Sequence, residues 1–398
     1  MMEMTKRERM MCALSGGQPD RVPCAPDVSC MIPCKMTGKP FYDVLLYGNP
    51  PIWQAYLDVV DYYDFEAWFI YGQVMFRRAY EPETKVYIEK DAHGYPVQVI
   101  EYNTPAGPLR KKTTFPVADA ETITEKVIKD FKEDFPKFKY LFGKITGYDD
   151  SVYQVQKKAL GEKGMMGVSA FPASFSLFLY HFHGNLEALT YAYYDEPELF
   201  EELCEMYEQD QLDQLDILLS LHPDSVLTGG SGSITLQSPA IFDQIALPGI
   251  KEIAHRCKEA GVICGAHSCG KEEHLIKRCA EETALCYVNP LEIPPMGDCN
   301  LADIKRKYGD KLALMGNLHT TNVMLNGTPE LVRLESLRAL ADGAQGGGFV
   351  LSTGDQCGRD TPEDNIRAMV AVCREFGRYP LDMDAIQSEI GRLEKLTT

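Results

Sequence analysis

The sequence predicts a (β/α)8 barrel, with all 398 residues in one domain. Three observations carry the prediction. Eight short apolar runs recur along the chain, each closing on polar residues. Amphipathic segments of helical period separate most of them. The residues best suited to chemistry fall at the carboxyl ends of those runs, the face on which parallel barrels place their sites.

The elements follow in order. A first helix spans 5–15, opened by Thr5 as N-cap and closed by Gly16-Gly17. The run Arg21-Val-Pro-Cys-Ala-Pro-Asp27 is the first predicted strand. Phe65–Tyr71, Gly164–Ala170, Ser225–Gly230, Val262–His267, Ala284–Pro290, Leu312–Asn317 and Gly348–Gly354 are the other seven. Helical patterns cover Glu187–Leu219, Pro239–Glu259, Lys271–Glu282 and Pro329–Ala344. Residues 75–115 break the rhythm. Two alternating runs flank the turn Asp91-Ala-His-Gly94, and a third strand is expected at Leu109–Thr114, so an antiparallel β meander is inserted after the second strand. A charged helical stretch over 119–138 is expected to follow. No internal repeat or low-complexity tract is present.

Composition bounds the function. Hydrophobic residues are 45% and charged residues 25%, ordinary for a globular enzyme. The net charge of −18 argues against nucleic acid and against anionic membrane surfaces, which are bound through Lys and Arg. No signal-peptide h-region and no apolar run of about 18 residues is found, so a cytoplasmic protein is expected. Thirteen cysteines, an odd number, read as reduced thiols, most of them packing as small hydrophobes.

A few cysteines stand apart. The fifth predicted strand ends in His267-Ser-Cys269. Residues two apart on an extended chain share a face, so the imidazole and thiol project together at the rim. Cys357 lies just beyond the eighth strand, and Glu292 just beyond the sixth. One imidazole, two thiols and a carboxylate, all on one rim, have the composition of a catalytic zinc site with an exchangeable fourth position. The plain alternatives are a free thiol for Cys357 and a solvated carboxylate for Glu292. Cys264 faces the other way, and Cys279, Cys286 and Cys373 sit in apolar patterns. Cys30-x-x-x-Cys34 has no histidine nearby. A structural zinc would bring four ligands close in sequence with Cys-x-x-Cys spacing, which is absent.

These residues resemble a family. His267-x-Cys269, Asn289-Pro-Leu-Glu292, Met315-Gly-Asn317, Gly354-Asp-Gln-Cys-Gly-Arg-Asp-Thr-Pro-Glu-Asp-Asn365 and the early Arg21-Val-Pro23 are similar to the uroporphyrinogen decarboxylase superfamily over most of the chain. Within it they resemble the zinc- and corrinoid-dependent methyltransferase branch, whose motif is His-x-Cys followed much later by one Cys. The resemblance implies a (β/α)8 barrel, one zinc, and a methyl group exchanged with a separate corrinoid protein. No cobalamin-binding Asp-x-His-x-x-Gly is present, so the corrinoid is expected on another chain. The chain departs from the decarboxylases themselves. Their first strand carries an Arg-Gln-Ala-Gly-Arg segment that cradles substrate carboxylates; here it reads Asp27-Val-Ser-Cys-Met-Ile-Pro33.

Two half-reactions occur in that branch: demethylation of an aryl methyl ether onto Co(I), and methylation of a thiol such as coenzyme M by the methylated corrinoid. The rim favours the first. Its aromatic, weakly polar segments suit a flat ring, with Tyr71, Phe171 and Tyr180 as the expected slot. His181, Asn317, His319 and Asp355 are expected to hydrogen-bond the ligand or orient a zinc ligand. A sulfonated thiol would want a cationic residue, and Lys35, Arg77, Arg78 and Arg359 are the nearby candidates. Gly229-Gly-Ser-Gly-Ser233 permits a close backbone approach.

Overall fold

The computed structural model describes residues 3–397. Thirteen strands are found among them. β1 (Ala67–Phe69), β8 (Gly164–Ser169), β9 (Ser225–Gly229), β10 (Ile263–His267), β11 (Tyr287–Asn289), β12 (Ala313–Leu318) and β13 (Phe349–Thr353) form one sheet in that order, every pair parallel. β2 (Met75–Arg78) pairs with β7 (Ile145–Asp149), while β3 (Glu83–Lys90), β4 (Pro96–Thr104), β5 (Gly107–Thr114) and β6 (Thr122–Glu125) form an antiparallel sheet.

The first predicted strand is corrected. Residues 21–27 occupy the eighth position of the barrel without forming a ladder. The Ala25 N–H donates to the Leu351 carbonyl (2.9 Å), the Leu351 N–H to the Pro23 carbonyl (3.0 Å), and the Glu66 N–H to the Cys24 carbonyl (3.0 Å). This segment therefore closes the curled sheet between β13 and β1. Pro23 and Pro26 have no N–H to donate, which is why the segment meets β13 only in an isolated bridge at Cys24–Leu351.

Two helical expectations are also corrected. Residues 119–138 divide into β6 and a helix over Phe131–Phe138, because Thr122–Glu125 pairs with the edge of β5. The long helix expected over Glu187–Leu219 is two, Asn185–Asp195 and Pro197–Ser220, broken at Glu196. A residue before proline is pushed out of the helical region. The inserted meander is larger than the expected 75–115, since β6 and β7 join it. The segment after β5 returns to the carboxyl rim, where the Val117 carbonyl accepts from the Phe41 N–H and the Ala118 carbonyl accepts from the Arg359 guanidinium.

The amino end of the barrel is plugged by α1 (Lys6–Leu14), which opens on a Thr5–Glu8 capping box. Met10, Ala13 and Leu14 pack into the barrel interior with Trp68, Met165, Leu227, Ile263, Tyr287, Met315 and Val350. Arg9 is 2% exposed and holds Glu66 (2.7 Å) and Asp20 (2.7 Å). Gly265 makes room for the central ring, since a Cβ there would lie 2.0 Å from the Tyr287 side chain. The chemistry is thereby left to the open carboxyl end. No helix among the described residues is long and apolar enough to cross a membrane.

Candidate active site

The ends of β9, β10, β11 and β13 come together at that open end. Register aligns His267 with Gly229 on one side and Asn289 on the other. Gly229 takes φ +87°, and a Cβ there would stand 2.5 Å from the His267 carbonyl, so only glycine lets β9 run this close. A cavity of about 370 Å³ opens above the strands. Trp68, Ile70, Phe171, Leu177, Tyr180 and Leu227 form its apolar wall. Asp27, Ser29, Ser231, His267, Asp355 and Gln356 supply its polar groups, and no Lys or Arg lines it.

The four expected donors sit around this rim. His267 is half-buried, with Nδ1 3.2 Å from Nδ2 of Asn289. Cys269 is half-buried; burial, with Asp355 and Glu292 nearby, pushes its thiol up to about 12, although the Ser231 hydroxyl and Gly232 N–H face it. Cys357 is fully buried and likewise pushed up to about 12 by burial and by Asp27 and Asp355. Its N–H donates to the Asp27 carbonyl (2.8 Å), while its thiol faces the hydroxyls of Thr353 and Thr361. Glu292 is 6% exposed and accepts a hydrogen bond from the Gly270 N–H; burial and Asp355 raise its carboxyl above the usual range. Among the described residues, no three His, Cys, Asp or Glu side chains converge into a metal-holding group. The rim thus gathers the donors without closing them into a ligand shell.

The donor chemistry nevertheless fits a divalent cation. Two thiols and the carboxyls of Asp27 and Glu292 are all held toward their neutral forms, first by burial and then by nearby carboxylates, of which Asp355 acts on all four. Neither Lys nor Arg is among the principal groups acting on them. A bound cation would favour the ionised forms of all four, and an imidazole with two thiolates and an optional carboxylate is a zinc donor set.

The expected substrate residues divide. Phe171, Tyr180 and Asp355 line the cavity. Tyr71 does not: its ring packs against Tyr56 and Phe69, and its hydroxyl donates to the Ser29 carbonyl. His181 lies beside the Phe138 ring in a separate aromatic cluster, and burial, helped by Lys111 and Lys126, lowers its imidazole to about 4. Asn317 donates to the Leu291 carbonyl (3.2 Å), and His319 accepts through Nδ1 from the Thr321 and Asn322 N–H groups (both 3.1 Å). Both line a second cavity of about 280 Å³, apart from His267.

Sequence reasoning passed over Asp27, Ser29, Gln356 and Asn289. Asp27 ends the first predicted strand, so the rule that parallel barrels work at carboxyl ends would have found it. It is 8% exposed, and its carboxylate accepts from the Ser29 hydroxyl and N–H. Asp355 takes φ +122°, an uncommon conformation for a residue with a Cβ, and neighbours Asp27, Cys269, Glu292 and Cys357.

A parallel barrel with its reactive side chains at the carboxyl rim is an enzyme scaffold. The chain belongs to the uroporphyrinogen decarboxylase (URO-D) family, whose model matches residues 5–376. It is 24% identical over 254 residues to uroporphyrinogen decarboxylase of Neisseria meningitidis, a match covering 62% of this chain and 66% of that protein. A shorter stretch of 77 residues is 38% identical to the enzyme of that name from Pseudoalteromonas translucida, covering 19% of this chain and 21% of that one. In fold, the chain is similar to a methyltransferase from Methanosarcina mazei, with a TM-score of 0.65, 15% identity, and 94% and 99% of the two chains covered.

Proposed function

We propose that this protein is a zinc-dependent methyltransferase that takes the methyl group of an aryl methyl ether and passes it to a reduced corrinoid carried by a separate protein. The observation that carries this reading is the cavity itself: an aromatic wall facing the His267 imidazole and the carboxyls of Asp27 and Asp355, with no cationic side chain. The likeness in fold to a methyltransferase supports the same reaction class.

His267, Cys269 and Cys357 are the residues to hold zinc, with Glu292 at the exchangeable position. Zinc bound there supplies Lewis acidity toward an ether oxygen that is otherwise a poor leaving group at neutral pH. In the transfer, the O–CH3 bond breaks, its electron pair stays on the aryl oxygen as phenolate, and the electron pair of the reduced corrinoid forms the new bond to carbon. The chain's own residues bind and orient. Trp68, Phe171 and Tyr180 hold the ring, and Leu177, Ile70 and Leu227 exclude water from it. Asp27 and Asp355 accept hydrogen bonds from a ring hydroxyl, and Ser29, Ser231 and Gln356 serve weaker polar substituents.

The same charge pattern argues against two neighbouring reactions. A porphyrinogen with many carboxylates and a sulfonated thiol both call for Arg or Lys, whereas this cavity presents Asp27 and Asp355. The test is elemental analysis followed by assay with reduced corrinoid protein and methoxylated aromatics. About one zinc per chain, with methylated corrinoid formed only when the ether is present, supports the reading. Zinc with transfer only from methylated corrinoid to a thiol moves the assignment to the second half-reaction, and absence of zinc overturns it.

A further inference from the structure

Asn289 is 2% exposed, at the end of a barrel strand where its side chain must find partners or lose hydrogen bonds it made in water. Its Nδ2 lies 3.2 Å from Nδ1 of His267, and its Oδ1 is buried with no hydrogen-bond partner among the described residues. Other buried asparagines of the barrel use their amide N–H groups differently, although Oδ1 of Asn365 is likewise buried without a partner among the described residues. Asn317 donates to the Leu291 carbonyl, and Asn365 donates to the carbonyls of Met324 and Gly327. Those amides fasten backbone to backbone. The side chain of Asn289 holds only an imidazole.

Sheet register fixes the pair. His267 and Asn289 are direct parallel neighbours on β10 and β11, and the Ser268 N–H donates to the Asn289 carbonyl at 2.9 Å. Neither residue can drift from the other without breaking the ladder. An amide offers a donor on one side and an acceptor on the other. With Nδ2 toward the ring, Nδ1 is the acceptor and Nε2 carries the proton. With the amide turned by half a rotation, Oδ1 accepts from Nδ1–H, and Nε2 is left with a free electron pair. The two orientations differ only in which amide atom faces the ring.

We infer that Asn289 is the positioning residue of His267, selecting by rotation of its amide the tautomer in which Nε2 is the ligating nitrogen. The inference rests on the zinc reading above and adds which nitrogen binds and what sets it. A partner on the other ring nitrogen fixes the orientation and basicity of a ligating histidine, and its loss typically weakens metal binding about 10–100-fold.

The test uses full-length protein, zinc competition against a chromophoric chelator, and 15N spectra of labelled histidine in the zinc form. Asn289→Asp, which can only accept, is expected to bind zinc as tightly as wild type or more so. Asn289→Leu is expected to bind about 10–100-fold more weakly, with thermal unfolding in chelator close to that of wild type. The His267 signal is expected to show Nδ1 protonated and Nε2 bound. Weaker binding by Asn289→Asp, unchanged binding by Asn289→Leu, or a metal on Nδ1 overturns the inference while leaving the zinc assignment standing. Wild-type protein that takes up no zinc overturns the zinc assignment itself.

Discussion

The indole N–H of Trp68 donates to the hydroxyl of Tyr287 at 3.0 Å, across the centre of the barrel and beneath the cavity. Trp68 is 5% exposed and Tyr287 fully buried, so neither group has water as a substitute. The pair also links the packed interior to the site, because Trp68 packs in the interior and also lines the cavity. Tyr287→Phe keeps the ring and strands the indole donor. The expected cost is about 1–3 kcal/mol of stability, that of one buried unsatisfied polar group, read by urea denaturation. Zinc content is expected to stay at the wild-type level, because the rim donors are untouched.

The metal donors make a graded prediction. Cys269→Ser and Cys357→Ser are each expected to lose most bound zinc on dialysis, since each removes one of two thiolates from a three-residue set. Glu292→Gln is expected to keep it, because His267 and both thiols remain. Elemental analysis of the three variants beside wild type reads all of this directly. Zinc retained in Cys357→Ser would remove that residue from the set.

Much of this arrangement was legible in the chain, and the exceptions have physical causes. Seven strands stood out because a parallel barrel buries both faces of each, leaving short, nearly continuous apolar runs. The eighth carried the same apolar signal, but two prolines withheld the donors a ladder needs. Period two placed His267 at the end of its strand, where β10 does end. Asn289 as the neighbour of His267 was not legible, since it follows from the register of β10 against β11, which lies in the pairing and not in either segment. Tyr71 and His181 were drawn into packed aromatic clusters because an aromatic residue near a strand end does not state which side of the wall it will take. Residues 119–138 misled because four residues at an open sheet edge were recruited as a strand by β5, a tertiary effect outweighing local propensity.

His181 gives a pH dependence. Burial, with Lys111 and Lys126, lowers its imidazole to about 4 in the folded chain, against about 6.5 in an unfolded one. The folded group is the weaker base, so its contribution to stability is complete above the unfolded value and is lost as pH falls from about 6.5 toward 4, where only the unfolded chain takes the proton. The full loss is about 3 kcal/mol for a shift of this size. His181→Leu is expected to flatten the fall in unfolding free energy over that window. A slope equal to that of wild type would show that the ring is not excluded from water as its packing against Phe138 indicates.

Asp355 bears on which ethers the site accepts. It lines the cavity beside His267 with φ +122°, a conformation asparagine also tolerates, so Asp355→Asn changes the charge and spares the backbone. A methoxyphenol with a free hydroxyl would lose a charge-assisted hydrogen bond, worth about 1.5–3 kcal/mol, and its KM is expected to rise about tenfold or more. A fully methylated analogue has no hydroxyl to donate and is expected to change less than about twofold, which sets the specific loss apart from general damage to the site. Both substrates should keep kcat close to wild type if Asp355 binds the ring equally in the ground and transition states. A fall in kcat for both, with KM unchanged, would instead place Asp355 in the transfer step, consistent with its closeness to Cys269 and Glu292.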